Sequence, residues 1–310
     1  MAIWTPAPRH VVLAVFLLSA LYVHLRGRVR FGLLRALTDF TVLLAPYNAL
    51  MYAFSKVRSS GFIDPKQFPE LEPLMSHWRQ IREEAVRLND EGFIRAAAGY
   101  TDMGFNSFFR TGWKRFYLKW YGEDLPSAQR MCPRTFELLS AIPSVKGAMF
   151  ASLPPGARLV RHRDPYAGSL RFHLGLITPN SDQCYIVVDG QRYFWRDGEA
   201  MMFDETFIHY AENTTQLQRV ILFCDVERPL KARFITNMNR WVIHHIVKAT
   251  ATQNVEGEEV GFVNKAFAFI YPIRLVGKRM KAWNRRVYYA VKYALVAALL
   301  AAILVPALIR

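Results

Sequence analysis

Three residues near the middle of the chain have the types and the order of a metal-binding site. His162 and Asp164 form a His-x-Asp pair, and His209 follows further along the chain. Two imidazoles and one carboxylate are the ligand set that holds non-haem Fe(II) in many oxygenases. The sequence therefore predicts His162, Asp164 and His209 as catalytic metal ligands. The alternative for a lone His-x-Asp pair is an ordinary polar histidine in a loop.

Arg219 follows His209 and begins an apolar run that ends at Cys224. A guanidinium group binds a carboxylate with two parallel hydrogen bonds. We therefore expect Arg219 to lie at the start of a buried strand and to bind the far carboxylate of 2-oxoglutarate, a cosubstrate of iron oxygenases. The alternative is an exposed charge on a strand.

Short strands are predicted to carry these side chains. Residues 171–176 alternate between polar and apolar types, as in a strand with one face in a polar cavity. Residues 184–188, 198–203 and 219–226 are further strand candidates, and Asp-Gly pairs at 189–190 and 197–198 are turn signals. This pattern favours a mainly β catalytic domain, built as a barrel or a sandwich of two sheets, with flanking helices.

Five motifs resemble a known family: residues 104–109, 112–121, 153–156, 162–171 and 203–206. They are similar to the bacterial lipid A acyl-chain 2-hydroxylases. That group lies within the aspartyl/asparaginyl β-hydroxylase superfamily of Fe(II)- and 2-oxoglutarate-dependent dioxygenases. The resemblance runs from about residue 22 to residue 233. It implies a double-stranded β-helix, or jelly-roll, core with Fe(II) as cofactor and with 2-oxoglutarate and O2 as cosubstrates.

The resemblance also implies individual roles. It places His162, Asp164 and His209 at the metal-ligand positions. The peptide-modifying relatives have glycine where this chain has Asp164, so a third ligand is available here. Arg219 matches the residue that binds the side-chain carboxylate of 2-oxoglutarate, and Arg171 and His173 match groups near its keto-acid end.

A basic aromatic segment is the predicted substrate-binding region. Arg110, Lys114 and Arg115 alternate with aromatic residues that include Trp113. Such a segment can pair with lipid phosphates and line a path for an acyl chain. The alternative is an aromatic core with a solvated basic edge.

The net charge and the cysteine content indicate which binding partners and which cellular compartment suit this chain. The chain has 310 residues, a formal net charge of +15 and a pI of about 9.9, which favours an anionic lipid or a phosphorylated substrate. No zinc-finger, RNP or helix-turn-helix motif supports nucleic acid as a partner. The three cysteines are widely spaced and indicate a reducing compartment.

Two apolar segments predict membrane helices at both ends of the chain. Residues 10–23 precede Arg26, Arg28 and Arg30, and residues 288–309 follow a basic cluster at 279–286. A signal peptide is the alternative for the first segment, but its charge follows the apolar run. Positive flanks remain in the cytoplasm, so we expect a bacterial inner-membrane protein with a cytoplasmic catalytic domain.

These elements predict five regions. They are a membrane anchor with its basic flank (1–30), a helical membrane-proximal region (31–100), the dioxygenase β-core (101–233), a helical or linker region (234–287) and a C-terminal transmembrane helix (288–310). Within the second region, residues 40–54 are apolar enough to enter the membrane or to form a buried helical hairpin, and residues 69–89 predict one amphipathic helix.

The expected reaction is hydroxylation of C2 of a fatty acyl chain of lipid A, or a related phosphorylated glycolipid, at the cytoplasmic face of the inner membrane. One alternative is hydroxylation of aspartyl or asparaginyl side chains in peptides. Another is a non-catalytic membrane lipid-binding protein with a vestigial site. The sequence leaves the oligomeric state and the particular acyl chain open.

Overall fold

Two antiparallel β-sheets enclose the predicted site. A computed structural model of the chain describes residues 7–37, 39–97 and 100–304. The larger sheet has the strand order β1-β9-β6-β11-β4-β2-β3, and the smaller sheet has the order β5-β10-β7-β8. The strands are β1 Phe62–Ile63, β2 Lys114–Trp120, β3 Glu123–Asp124, β4 Val145–Leu153, β5 Arg158–His162, β6 Ser169–Ile177, β7 Cys184–Val188, β8 Gln191–Phe194, β9 Ala200–Phe203, β10 His209–Asn213 and β11 Arg219–Glu227.

Helices flank this β-core. They are α1 Pro8–Leu25, α2 Leu33–Leu37, α3 Ala45–Ala53, α4 Glu72–Ser76, α5 Trp78–Asp90, α6 Pro126–Met131, α7 Pro133–Ser140, α8 Arg233–Val242, α9 Phe262–Trp283 and α10 Arg285–Leu304. A 3-10 helix, Phe40–Leu44, leads into α3, and a π-helix, Ile243–Val247, continues α8. The predicted mainly β fold with flanking helices is therefore confirmed. The predicted domain boundaries stay predictions, although the segment 31–100 also supplies β1, which pairs with β9.

The central strand follows from its sequence. Every residue of β11 is buried, and β11 lies between β6 and β4 in the larger sheet. A strand covered on both faces by the rest of the protein must be apolar along most of its length, as the run after Arg219 is. The register pairs Phe223 with His173 of β6 and with Met149 of β4. This places His173 beside the middle of β11.

The β7–β8 hairpin confirms one predicted turn. Asp189 and Gly190 have φ angles of 49° and 83°, and Val188 pairs with Gln191 directly across the turn. Positive φ at both central residues is the conformation of the two-residue turns that match the twist of a hairpin. The Asp189 carboxylate also accepts a hydrogen bond from the Val29 backbone N–H at 2.9 Å, so the turn holds the segment after α1.

The predicted amphipathic helix at 69–89 is interrupted. A 3-10 turn, Pro69–Leu71, precedes α4, and α4 and α5 are separated at His77. Pro69 and Pro73 each lie in the first turn of an element, where the missing proline N–H removes no internal hydrogen bond. The apolar stripe of the helix is nevertheless buried, with Leu74, Ile81, Ala85 and Leu88 fully covered.

The N-terminal helix α1 is joined to the β-core through the residue that follows it. Of the described residues, only those of α1 form a helix that is long and apolar enough to cross a membrane, and none of its side chains is buried. The Arg26 guanidinium forms an ion pair with Asp204 and lies 3.7 Å above the centre of the Tyr52 ring. Because Tyr52 belongs to α3, the predicted apolar segment 40–54 packs between α1 and the β-core.

The second predicted span stays a prediction. Helix α10 covers Arg285–Leu304, and residues 305–310 of the predicted span lie outside the described residues.

Candidate metal centre

Two neighbouring strands and one loop bring the predicted metal ligands together. His162 ends β5, His209 begins β10, and the antiparallel register pairs the two residues directly. Their ring centres are 4.2 Å apart, and His162 Nε2 lies 3.7 Å from Asp164 Oδ1. One potential ligand atom from each of the three residues lies within 4.8 Å of the others. Two imidazoles and a carboxylate thus converge on a volume that suits one ion.

Both histidines are held in the form that binds metal through Nε2. His162 Nδ1 lies 2.7 Å from the Val160 carbonyl oxygen, and His209 Nδ1 lies 2.9 Å from the Phe207 carbonyl oxygen. A protonated Nδ1 that donates to a carbonyl leaves Nε2 with a free lone pair. Burial, and then the neighbouring His162, lower the pKa of His209 to about 3. His209 is therefore neutral near pH 7, and the donor set fits Fe(II).

Arg171 holds Asp164 in its ligand position. The Arg171 guanidinium lies 2.7 Å from Asp164 Oδ2 and 2.9 Å from Asp225 Oδ1, and it also forms an ion pair with Glu205. The Asp164 backbone N–H donates to the Glu205 carbonyl oxygen at 2.9 Å. Burial alone raises the pKa of Asp164, but Arg171 and the two imidazoles outweigh burial, and the net pKa lies below its ordinary value. Asp164 is therefore a carboxylate.

The role predicted for Arg171 stays a prediction, and the structure adds a second role. The resemblance places it near the keto-acid end of 2-oxoglutarate, and the structure places it in the lining of the cavity that also contains His162 and His209. Its guanidinium forms ion pairs with Asp164, Glu205 and Asp225, and burial raises the pKa of Glu205 and that of Asp225. Arg171 therefore also positions the Asp164 carboxylate.

Arg219 has the opposite environment. It is 2% exposed and lies in the cavity that also contains His162 and His209; we call this cavity the metal pocket. Its Nε has no hydrogen-bond partner among the described residues, and its guanidinium lies 4.3 Å from the centre of the Trp195 ring. Burial lowers the pKa of Arg219 to about 10. A buried cation without a carboxylate partner is costly and fits an anionic ligand.

Further unpaired donors line the same pocket. Both ring nitrogens of His173 and the Nε1 of Trp195 lack hydrogen-bond partners among the described residues. Burial first, and then Arg219 and Arg171, lower the pKa of His173 well below its ordinary range, so its ring is neutral and has one donor and one acceptor. Arg219, which has no carboxylate partner among the described residues, and several neutral polar groups therefore face the two histidines, which is the lining that a small oxygen-rich anion requires.

Three of these residues are absent from the sequence-based site: Trp195, Glu205 and Asp225. Glu205 belongs to the motif 203–206 that supports the resemblance, but the motif alone does not reveal its partner. Asp225 carries a clearer signal, because a carboxylate within an otherwise apolar strand needs a buried cation. No comparable signal marks Trp195.

The predicted substrate-binding residues are separated by the structure. Trp113 is buried and lines the metal pocket, whereas Arg110 and Lys114 are exposed. Arg115 is 1% exposed, and its Nε lies 3.0 Å from Asp102 Oδ2. The prediction for Arg115 is therefore corrected, because a buried guanidinium that is paired with Asp102 is not accessible to a lipid phosphate.

Comparison with known proteins identifies the family. The sequence profile described as aspartyl/asparaginyl beta-hydroxylase matches residues 75–229. A protein of Rhizobium tropici, named ornithine lipid ester-linked acyl 2-hydroxylase, is 39% identical over 240 residues, which cover 74% of this chain and 84% of that protein. The chain belongs to the aspartyl/asparaginyl β-hydroxylase family. The predicted recognition of an acyl 2-hydroxylase relative within that superfamily is confirmed.

More distant members match a shorter part of the chain. Human aspartate beta-hydroxylase domain-containing protein 2 is 34% identical over 126 residues, or 38% of this chain and 34% of that protein. Human aspartyl/asparaginyl beta-hydroxylase is 26% identical over 187 residues, or 58% of this chain and 24% of that protein. The names of these relatives also support an enzyme of the hydroxylase class.

Proposed function

We propose that this chain is an Fe(II)- and 2-oxoglutarate-dependent dioxygenase that hydroxylates C2 of a fatty acyl chain of a membrane lipid. The observation that carries the proposal is the metal pocket itself. It contains His162 and His209 together with the buried cation Arg219, which has no carboxylate partner among the described residues. A metal that binds a dicarboxylic cosubstrate requires this combination, since the far carboxylate needs a counter-charge away from the metal.

The residues of the metal centre have separate roles in binding the metal and the cosubstrate. His162, His209 and Asp164 would hold Fe(II), and Arg219 would bind the far carboxylate of 2-oxoglutarate. When bound, iron and cosubstrate supply the oxidising chemistry: one atom of O2 enters a C–H bond as hydroxyl, and the other enters succinate as 2-oxoglutarate loses CO2. The protein positions the reactants and excludes water. His173 and Trp195 supply neutral hydrogen-bonding groups in the same pocket.

The lipid substrate is supported by three independent features. The Rhizobium tropici relative is named for 2-hydroxylation of an ester-linked acyl chain of ornithine lipid. The helix α1 is apolar and uncovered, and the net charge of +15 suits an anionic lipid surface. Lipid A is the substrate that we propose, and ornithine lipid is the alternative that the relative favours. Peptide hydroxylation gains no support from an apolar anchor, and a vestigial lipid-binding role does not explain a complete ligand set.

Mass spectrometry of membrane lipids tests this proposal. Lipids are extracted from cells that express the full chain and from matched cells that express His209→Ala. We expect the mass of one oxygen atom to be added to an acyl chain of lipid A in the first cells only, and fragmentation should locate it at C2. The same gain on ornithine lipid would change the substrate but not the reaction. Unchanged lipids together with a hydroxylated peptide would contradict the proposal.

We also propose that the catalytic region faces the cytoplasm, with α1 as the membrane anchor. Gln183 is exposed, and the three native cysteines are buried, so a cysteine at Gln183→Cys is expected to dominate thiol labelling. A membrane-impermeant reagent should leave it unlabelled in intact spheroplasts and should label it after lysis. Ala2→Cys is the matched control and should be labelled before lysis. Labelling of Gln183→Cys in intact spheroplasts would place the site outside the cytoplasm.

A further inference from the structure

A second cavity adjoins the metal centre on the side of Asp164. It has a volume of about 440 Å³, which is within the usual range for ligand sites; we call it the outer cavity. Phe105 and Arg171 line both this cavity and the metal pocket. Asp164 lines the outer cavity, so a ligand in this cavity reaches the metal-ligand set directly.

The wall of the outer cavity offers apolar surface and few free polar groups. Its aromatic side chains have their polar atoms paired within the protein. Tyr121 Oη donates to Asp225 Oδ2 at 3.0 Å, Tyr47 Oη donates to Asn239 Oδ1 at 2.6 Å, and Trp120 Nε1 donates to Thr250 Oγ1 at 3.1 Å. Val242, Ile246 and Val247 complete the wall.

This lining differs from that of the metal pocket. In the metal pocket, polar atoms of Arg219, His173 and Trp195 have no hydrogen-bond partner within the described part of the chain, so this pocket suits a polar ligand. In the outer cavity the carboxylates at the inner end are paired with Arg171, and aromatic and aliphatic faces remain. The occupant that suits such a wall is a hydrocarbon chain, because burial of apolar surface is its main source of binding energy.

The outer cavity opens where apolar side chains are exposed. Two of its lining residues, Leu44 and Ile246, are 38% and 53% exposed, and Leu43 and Trp241 beside them are exposed as well. An exposed group of large apolar residues marks an interaction surface. Leu44 directly precedes α3, and Tyr52 of α3 contacts Tyr22 of α1 with a ring-centre distance of 6.2 Å. The opening is therefore linked to the anchor helix through one short element.

We infer that one acyl chain of a membrane lipid enters the outer cavity from the bilayer, between the 3-10 helix Phe40–Leu44 and the π-helix Ile243–Val247. The inference rests on the proposed function and names the binding site for its substrate. The chain extends from Leu44 and Ile246 at the opening towards Asp164 at the inner end. The length of the acyl chain that fits is then limited by Val242, Val247 and Trp120. These residues lie far from the metal ligands in sequence.

Photo-crosslinking tests the site without requiring turnover. The full chain in lipid nanodiscs is illuminated with a phospholipid that carries a diazirine in its acyl chain, and crosslinked peptides are mapped by mass spectrometry. We expect crosslinks within residues 117–121 and 242–247. Ile246→Trp fills the opening, and Val242→Trp fills the wall; each should lower these crosslinks by about tenfold or more. Leu217→Trp, on an exposed loop, is the matched control and should leave them unchanged.

Hydroxylation by the same variants separates the two proposals. Ile246→Trp and Val242→Trp should shift hydroxylation towards shorter acyl chains, and a cooperative thermal unfolding transition like that of the wild type shows that the variants fold. Wild-type lipid hydroxylation with no crosslinks in the named segments would overturn the cavity and leave the proposed function intact. Crosslinks in those segments without lipid hydroxylation would support the outer cavity as a lipid site and would overturn the proposed function. Loss of crosslinks on addition of an aspartyl or asparaginyl peptide would replace the acyl chain by a peptide occupant.

Discussion

Replacement of His162 or His209 by alanine is expected to abolish Fe(II) binding and turnover. Each imidazole supplies one Nε2 to the site, and its Nδ1 is already used by a backbone carbonyl. Among the described residues, the metal-ligand cluster that contains these histidines has Asp164 as its third member, so no substitute imidazole lies within it. We expect the iron affinity to fall further than the roughly 10- to 100-fold typical for loss of a residue that merely supports a ligand.

Anaerobic Fe(II) titration by calorimetry and 2-oxoglutarate consumption by the purified full chain measure this effect. His77→Ala is the matched control, because its Nδ1 also lies against a backbone carbonyl, that of Pro73 at 2.9 Å, but it belongs to no metal-ligand cluster in the described residues. The control should bind iron and turn over as the wild type does. Normal cosubstrate consumption by either His162→Ala or His209→Ala would refute the assignment of the ligands.

The strands and turns that position the site could be predicted where the local sequence alone determines the secondary structure. The apolar run after Arg219 can bury both faces, and it became the central strand β11. The pair Asp189-Gly190 tolerates positive φ, and it became the β7–β8 turn. His162 and His209 lie on paired strands, and their types together with the family resemblance predicted them as metal ligands.

The partners of Arg171 could not be predicted, because they depend on register and loop path. Asp164 lies only 7 residues before Arg171, but Glu205 and Asp225 are distant in sequence and meet Arg171 only after β6, β9 and β11 have paired. The same limit applies to Arg115, which looks like a surface cation until Asp102 folds against it. An ion pair between distant residues leaves no periodic trace in a sequence, whereas a buried face does.

The two guanidinium groups near the metal centre therefore have different consequences on mutation. Arg171 forms ion pairs with Asp164, Glu205 and Asp225, and its loss would leave the Asp164 carboxylate without its guanidinium partner. Arg219 has no such partner among the described residues. Removal of Arg219 eliminates an uncompensated buried charge and leaves no carboxylate without its partner. The folded protein should therefore lose little stability. This difference makes Arg219 the better position at which to measure binding of the cosubstrate alone.

Arg219→Met is accordingly expected to raise the half-saturating concentration of 2-oxoglutarate and to leave Fe(II) affinity nearly unchanged. Loss of one partner of a buried charge-assisted pair costs roughly 2–5 kcal/mol, which is about thirty-fold to several thousand-fold in affinity. Titration of 2-oxoglutarate against succinate formation measures the shift. Arg158→Met is the control, since that side chain is 67% exposed and forms an exposed ion pair with Glu212 at 3.5 Å. An unchanged half-saturating concentration would mean that another group binds the far carboxylate, and Arg171, which lines the same pocket, would be the next candidate.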